Sequence, residues 1–323
     1  MSNLTTFWFD PAEGAEMTTT QLLDFLECAP LLREIELGSI PSLSDAPVER
    51  VVSLPHLGSL KISSDLTHSI LLNHLRVPIG ALVTLEFDFR RGGGSPILGR
   101  LPTSLDNLNN ISRITSINLH FESGVGMRLK GPTGCLYLIG KWYGSAPADP
   151  QLHPIPLPCQ TFQSLNRLPL SATERLTITQ FEDPEDLETG ASCVYQTLCL
   201  MKNLQSLTFT GHPHLSFILA LNPKRNASKK VICPKLKELV VSIRERKDEN
   251  PAEELFEMVE ERALKGTRLS TLVFAYSPRI TPEAFDFDFS RYVSDVRCRP
   301  DHILPAWDIL PGETDDDGYD SNW

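Results

Sequence analysis

The residues of this chain that could do chemistry are three glycine-bearing stretches, one close histidine pair, seven cysteines and two acidic clusters. Arg90-Arg91-Gly92-Gly93-Gly94-Ser95 is a basic, glycine-rich turn of the kind whose backbone cradles phosphate. It lacks the Lys-Ser/Thr pair that opens a P-loop helix, and Pro96 follows it. Gly134 to Gly140-Lys141 has the wrong spacing, with Trp142 where Ser or Thr is needed, and Gly124, Gly126 and Gly131 do not form GxGxxG. All three stretches read as loops between strands. His212-Pro213-His214 offers two imidazoles, but no third ligand stands at metal spacing, so the pair reads as turn residues. No GxSxG elbow is present, and Cys28, Cys135, Cys159, Cys193, Cys199, Cys233 and Cys298 include no CxxC and no recognisable nucleophile context. They read as buried, reduced thiols. Glu182-Asp183-Glu185-Asp186 and Glu313 to Asp320 read as a solvated loop and tail. No catalytic residue, metal or cofactor is expected, and the chain is read as a non-enzyme.

Composition narrows the partners. The chain has 323 residues, with 41 acidic against 30 basic side chains and a formal charge of −11. A surface this acidic disfavours nucleic acid, whose affinity comes from phosphate neutralisation by Lys and Arg, and it disfavours anionic lipid for the same reason. No stretch approaches the roughly 18 apolar residues that span a bilayer. Met1 to Glu16 carries no Lys, no Arg and no apolar run, so it does not read as a secretory signal. The expected compartment is the cytosol or nucleus. Three N-x-S/T sequons, at Asn3, Asn110 and Asn226, then read as chance matches. A partner that is another protein or a small molecule is the expectation that remains, met by a monomer.

The elements that would position a partner repeat along the chain. Leu, two residues, an apolar residue, one residue and another apolar residue recur as Leu4-Phe7-Phe9, Leu32-Ile35-Leu37, Leu57-Leu60-Ile62 and Leu82-Leu85-Phe87. The pattern returns as Leu204-Leu207-Phe209, Leu236-Leu239-Val241 and Leu269-Leu272-Phe274. Looser versions are Ile114-Ile117-Leu119, Thr173-Leu176-Ile178 and Val293-Val296-Cys298. Successive starts differ by 28, 25, 25, 32, 59, 31, 32, 33 and 24 residues; the 59 fits two units, the middle one near Leu136-Tyr137-Leu138. A Pro stands two residues before the first Leu in Pro30-Leu32, Pro55-Leu57 and Pro234-Leu236, where it can end one segment and lead into an extended one.

Helical segments lie between. Thr18 and Gln21 form a capping box ahead of Leu22, Leu23, Phe25 and Leu26; Asp65 can cap Ser69 to Leu75. Pro251 can open a helix over Ala252 to Leu264 that Gly266 stops, and Thr281-Pro282 opens another. The expected fold is therefore α/β: a leucine-rich-repeat solenoid, or horseshoe, with irregular repeats of 24–33 residues, a parallel concave sheet and convex helices. It would cover residues 1–310, with a subdivision at the proline-rich loop 143–158, and 311–323 would be an acidic, disordered tail. Strand alternation then turns Trp8, Glu36, Lys61, Glu86, Asn118, Thr177, Thr208, Val240 and Val273 onto the concave face, with Asp88 and His120 one step beyond. Trp8 is the sharpest of these, because Trp is favoured in binding hot spots.

Leu31-Leu32-Arg33-Glu34-Ile35-Glu36-Leu37, Pro55-His56-Leu57-Gly58-Ser59-Leu60-Lys61-Ile62 and Cys233-Pro234-Lys235-Leu236-Lys237-Glu238-Leu239 resemble the leucine-rich repeats of fungal F-box proteins. The ending Asp315-Asp316-Asp317-Gly318-Tyr319-Asp320-Ser321-Asn322-Trp323 is similar to tails of that family. The resemblance implies repeats that hold a protein substrate, beside an F-box module that binds the adaptor of an SCF-type ubiquitin ligase. No Leu-Pro-x-Glu-type F-box opening is visible, so no F-box residue is assigned, and adaptor binding is expected only with an F-box upstream. The alternative reading is a leucine-rich scaffold or regulator with no ligase role.

Overall fold

In the computed structural model the described residues are 3–10, 17–38, 50–63, 68–88, 97–102, 104–121, 124–141, 157–181, 187–211, 215–226, 228–243, 251–276 and 287–300. The chain runs β1 (Thr6–Phe9), α1 (Thr19–Glu27), β2 (Glu34–Leu37), β3 (Val52–Ser53), β4 (Ser59–Ser63), α2 (His68–Asn73), β5 (Leu75–Arg76) and β6 (Leu82–Asp88). Then come β7 (Ser116–His120), β8 (Gly124–Lys130), β9 (Cys135–Lys141), α3 (Leu157–Leu165), β10 (Arg175–Phe181), α4 (Leu187–Leu200) and β11 (Ser206–Gly211). It continues through α5 (Leu215–Leu221), β12 (Glu238–Ile243), α6 (Pro251–Leu264), β13 (Thr271–Tyr276) and β14 (Asp295–Pro300). The fold is mixed α/β. Twelve strands form one open sheet in the order β1-β2-β4-β6-β9-β8-β7-β10-β11-β12-β13-β14, and β3 with β5 makes a small second one.

All eleven apolar units noted in the sequence supply a strand to the large sheet. One register runs through the sheet behind them, Ile35 beside Leu60, Val83, Leu136, Leu129 of the additional strand β8, Ile117, Leu176, Leu207, Leu239 and Leu272. Each is at most 2% exposed. Against this row the helices lay their apolar faces: Leu22, Leu23 and Leu26 of α1, Val194 and Leu198 of α4, Leu255, Met258 and Val259 of α6. Phe217 of α5 links the two layers, its ring 4.5 Å from Phe209 on β11 and 5.2 Å from Phe162 on α3.

Helix ends follow the sequence signals. Thr18 Oγ1 accepts from the Gln21 amide, and Gln21 Oε1 accepts from the Thr18 amide, closing the capping box of α1. α6 begins at Pro251, and Gly266 follows it at φ +76°, a conformation that suits glycine. The Asp65, Thr281-Pro282, 143–156 and 311–323 expectations lie outside the described residues.

The expected parallel sheet is broken at one place. β7, β8 and β9 form an antiparallel meander, and it is β9, the last of the three, that lies beside β6. The unit near Leu136 therefore precedes the Ile114 unit in space although it follows it in sequence. Only four residues separate β8 from β9, with the Gly131 amide donating to the Gly134 carbonyl at 2.9 Å. A parallel crossover needs a dozen or more, so the chain must turn straight back. A Cβ at Gly131 would stand 2.3 Å from the Asn110 carbonyl oxygen, and one at Gly134 would stand 2.3 Å from that of Ile79. Gly124, Gly126 and Gly140 thus lie in strands, not in loops as their sequence suggests.

Two further expectations change. The triplet starting at Leu82 is out of phase: Val83 pairs with Leu60 and Leu85 with Ile62, so Val83 and Leu85 fill the core and Leu82 is only half-buried. The cysteines are all free, but Cys28 and Cys298 are exposed. Asn110 and Asn226 are buried with donated hydrogen bonds to the Cys135 and Lys230 carbonyls, so neither presents its sequon at the surface.

Arg262, near the end of α6, is fully buried. Its guanidinium donates to the Ile232 and Cys233 carbonyls, both at 2.9 Å, just before β12. Burial pushes its pKa down to about 10 and the neighbouring Cys233 thiol up to about 12.

Candidate functional site

Helices cover one face of the sheet, and the candidate site is the other, built by the period-two alternation of strands. The register aligns its side chains in rows. The central row runs Trp8, Glu36, Lys61, Thr84, Tyr137, Arg128, Asn118, Thr177 and Thr208, then Val240, Val273 and Arg297. Six of the nine residues expected to bind a partner stand in it: Trp8, Glu36, Lys61, Asn118, Thr177 and Thr208.

Glu86 and His120 stand one step further along their strands. Glu86 aligns with Ser63, not with Glu36 and Lys61, because the register at β6 is shifted as described. Its carboxylate still reaches back: Ser63 Oγ donates to Glu86 Oε2 at 3.1 Å, and Lys61 Nζ lies 3.8 Å from Glu86 Oε1 and 3.2 Å from Glu36 Oε1. Burial alone would lower the Lys61 ammonium, but Glu36 and Glu86 outweigh it and hold the group above the usual lysine range. Asp88 ends β6, its backbone aligned with Lys141; its side chain lies outside what is described.

The meander supplies the centre, where sequence reasoning assigned only Asn118 and His120. The Arg128 guanidinium lies 5.2 Å from the Tyr137 ring centroid. Cys135 beside them is mostly buried, which raises its thiol pKa against the lowering pull of Arg128. His120 Nδ1 is 2.6 Å from Thr179 Oγ1, and that hydroxyl donates to the Leu119 carbonyl at 3.2 Å. The hydroxyl thus bridges the imidazole and the β7 backbone. Thr84, Tyr137 and Arg128 escaped the sequence reading because they sit in the shifted strand and the antiparallel insert. The alternation Val125, Met127, Leu129 marked β8 as a strand and was the usable signal.

Charge varies along the face. Glu34, Glu36 and Glu86 lie at the β2–β6 end, and Glu238 and Asp295 lie beyond β11. Among the outward positions described from β9 to β11 there is no carboxylate, while Arg128, Lys130 and Arg175 are cationic. Accessibility is not continuous along the central row: Tyr137 is 5% exposed, and beyond β11 Glu238 and Arg297 are exposed while positions between them are covered. Val240 and Val273, expected at the surface, are 3% and 5% exposed, and Ser242 and Ala275 beside them are fully buried. Leu239-Val240-Val241 and Leu272-Val273-Phe274-Ala275 are unbroken near-apolar runs, the pattern of strands covered on both faces.

Among the described residues no group of three or more His, Cys, Asp or Glu side chains converges as a metal site, and no helix is long and apolar enough to cross a membrane. No protein-family model, no curated protein and no solved structure matches the chain.

Proposed function

We propose that the chain is a leucine-rich-repeat solenoid whose concave sheet face captures another protein, and that it does so as the substrate-binding repeat region of an F-box-type ubiquitin ligase subunit. The observation that carries the recognition reading is the in-register row from Trp8 to Thr208. It spans nine neighbouring strands, about 38 Å at the usual strand spacing, with exposed or half-buried side chains on either side of the buried Tyr137. Its side chains vary from strand to strand on a frame fixed by the buried row behind them. A strip of that length suits a protein surface better than a small molecule, and an aromatic at one end with a charged triad beside it supplies the residue types that anchor interfaces. No catalytic step is assigned to it.

The ligase part rests on the likeness of the Leu31–Leu37, Pro55–Ile62 and Cys233–Leu239 segments to fungal F-box repeats. Affinity purification of the full product of the native transcript tests it. Adaptor and cullin in the eluate support the ligase reading. Their absence, with other proteins still captured, leaves recognition without ubiquitination.

A further inference from the structure

We propose that this chain associates head to tail with further copies of itself, β14 of one copy pairing in parallel with β1 of the next so that one sheet runs through both. Among the described residues β1 pairs only with β2 and β14 only with β13. Within the described residues each therefore keeps one edge of unpaired N–H and C=O groups, a template for another strand.

The register fixes what would meet. Phe7 aligns with Ile35 at one end of the sheet, and Val296 aligns with Leu272 at the other, on the same core row. Continuing that register across copies sets Val296 against Phe7, Arg297 against Trp8, Cys298 against Phe9 and Arg299 against Asp10. Each juxtaposition is favourable. On the helix face, Val296 and Cys298 point to the core side yet are exposed, and Phe7 and Phe9 are only half-buried, so pairing closes both ends of one apolar row. On the other face Arg297 comes over Trp8, which is 69% exposed. Arg299 meets Asp10, and neither has an ion-pair partner among the described residues.

A two-fold β14–β14 joint centred on Arg297 would set Arg297 against Arg297 and Asp295 against Arg299. It would leave Phe7, Phe9 and Trp8 at the β1 edge uncovered, whereas β14 on β1 covers them and opposes Arg299 to Asp10. The contact is heterologous, so it does not close at a dimer and copies add in sequence. This departs from the monomer expected from the sequence.

Sedimentation equilibrium of the full chain tests the proposal. The expected result is a weight-average mass that exceeds 36.1 kDa and keeps rising with concentration. Asp10→Arg should weaken association about tenfold, the effect of losing one close interfacial charge pair, and adding Arg299→Asp should restore it. Independently, Phe9→Cys in a Cys28→Ser background should give a ladder of oxidised copies that Cys298→Ser abolishes. A mass of 36.1 kDa at every concentration, association indifferent to Asp10→Arg, or a ladder that persists without Cys298 would each overturn the proposal.

Discussion

Replacing Arg262 probes how the helix layer is held to the sheet. The side chain is fully buried, its two terminal nitrogens serve the Ile232 and Cys233 carbonyls, and its Nε has no acceptor among the described residues. No carboxylate pairs with it there, so it acts as a two-pronged donor that ties α6 to the turn before β12. Arg262→Ala leaves two carbonyls without donors, at about 1–3 kcal/mol each, and removes the stem that packs beneath them. The carbonyls alone sum to about 2–6 kcal/mol, and loss of the stem adds to that. Arg262→Met orphans the same carbonyls and removes the same buried charge but keeps an apolar stem, so its cost should be smaller than that of Arg262→Ala. Urea unfolding followed by circular dichroism measures both. Hydrogen exchange at α6 and β12 amides localises the loss, since local and global opening need not coincide. A cost below about 1 kcal/mol for Arg262→Ala would refute the reasoning, because a donor whose loss orphans two buried carbonyls cannot be so cheap.

Gly134→Ala should destabilise by about 1–3 kcal/mol in the same assay, because its Cβ would meet the Ile79 carbonyl oxygen at 2.3 Å and the meander would have to shift. Trp8→Ala should change stability by less than about 0.5 kcal/mol, given its exposure, while altering capture of a partner. The hydrogen bond from Lys224 Nζ at 2.6 Å, opposed by burial and joined by Arg225 Nε at 3.1 Å, holds the Glu257 carboxyl below its usual range. Its contribution is therefore present above the unfolded carboxyl pKa, about 4.3, and is lost as pH falls through the lower folded value. The urea midpoint should drop along that acid limb, and Glu257→Gln should flatten the drop.

Much of the sheet was legible because one signal, Leu-x-x-apolar-x-apolar, marks a strand together with its buried row. All eleven units became strands, and Trp8, Glu36 and Lys61 fell where alternation put them. What failed were positions where two readings share the same residues. Leu82, Val83, Leu85 and Phe87 satisfy the triplet in one phase and strict alternation in another, and pairing with Leu60 and Ile62 decides between them. The order of β7, β8 and β9 depends on connection lengths, not on apolar pattern. The alternation Val125, Met127, Leu129 fills the interval between Ile117 and Leu136 with a strand, and the four residues left before β9 allow only an antiparallel return. Burial of Val240 and Val273 was written in their unbroken apolar runs, which the alternation rule treated as ordinary half-buried strands.

The central claim is that the face opposite the helices recognises a protein. Glu36→Lys, Lys61→Glu and Glu86→Lys, made together, keep every pair in the triad complementary while inverting the charge this end shows a partner. Leu264→Ser, at an exposed position on the helix layer, is the control. Proteins captured by the wild-type chain should be quantified by mass spectrometry against both variants, and the strongest should be purified and titrated calorimetrically. The account predicts that the triple variant loses at least about tenfold in affinity for a captured protein while Leu264→Ser keeps it. Equal affinity of all three chains for every captured protein would contradict it.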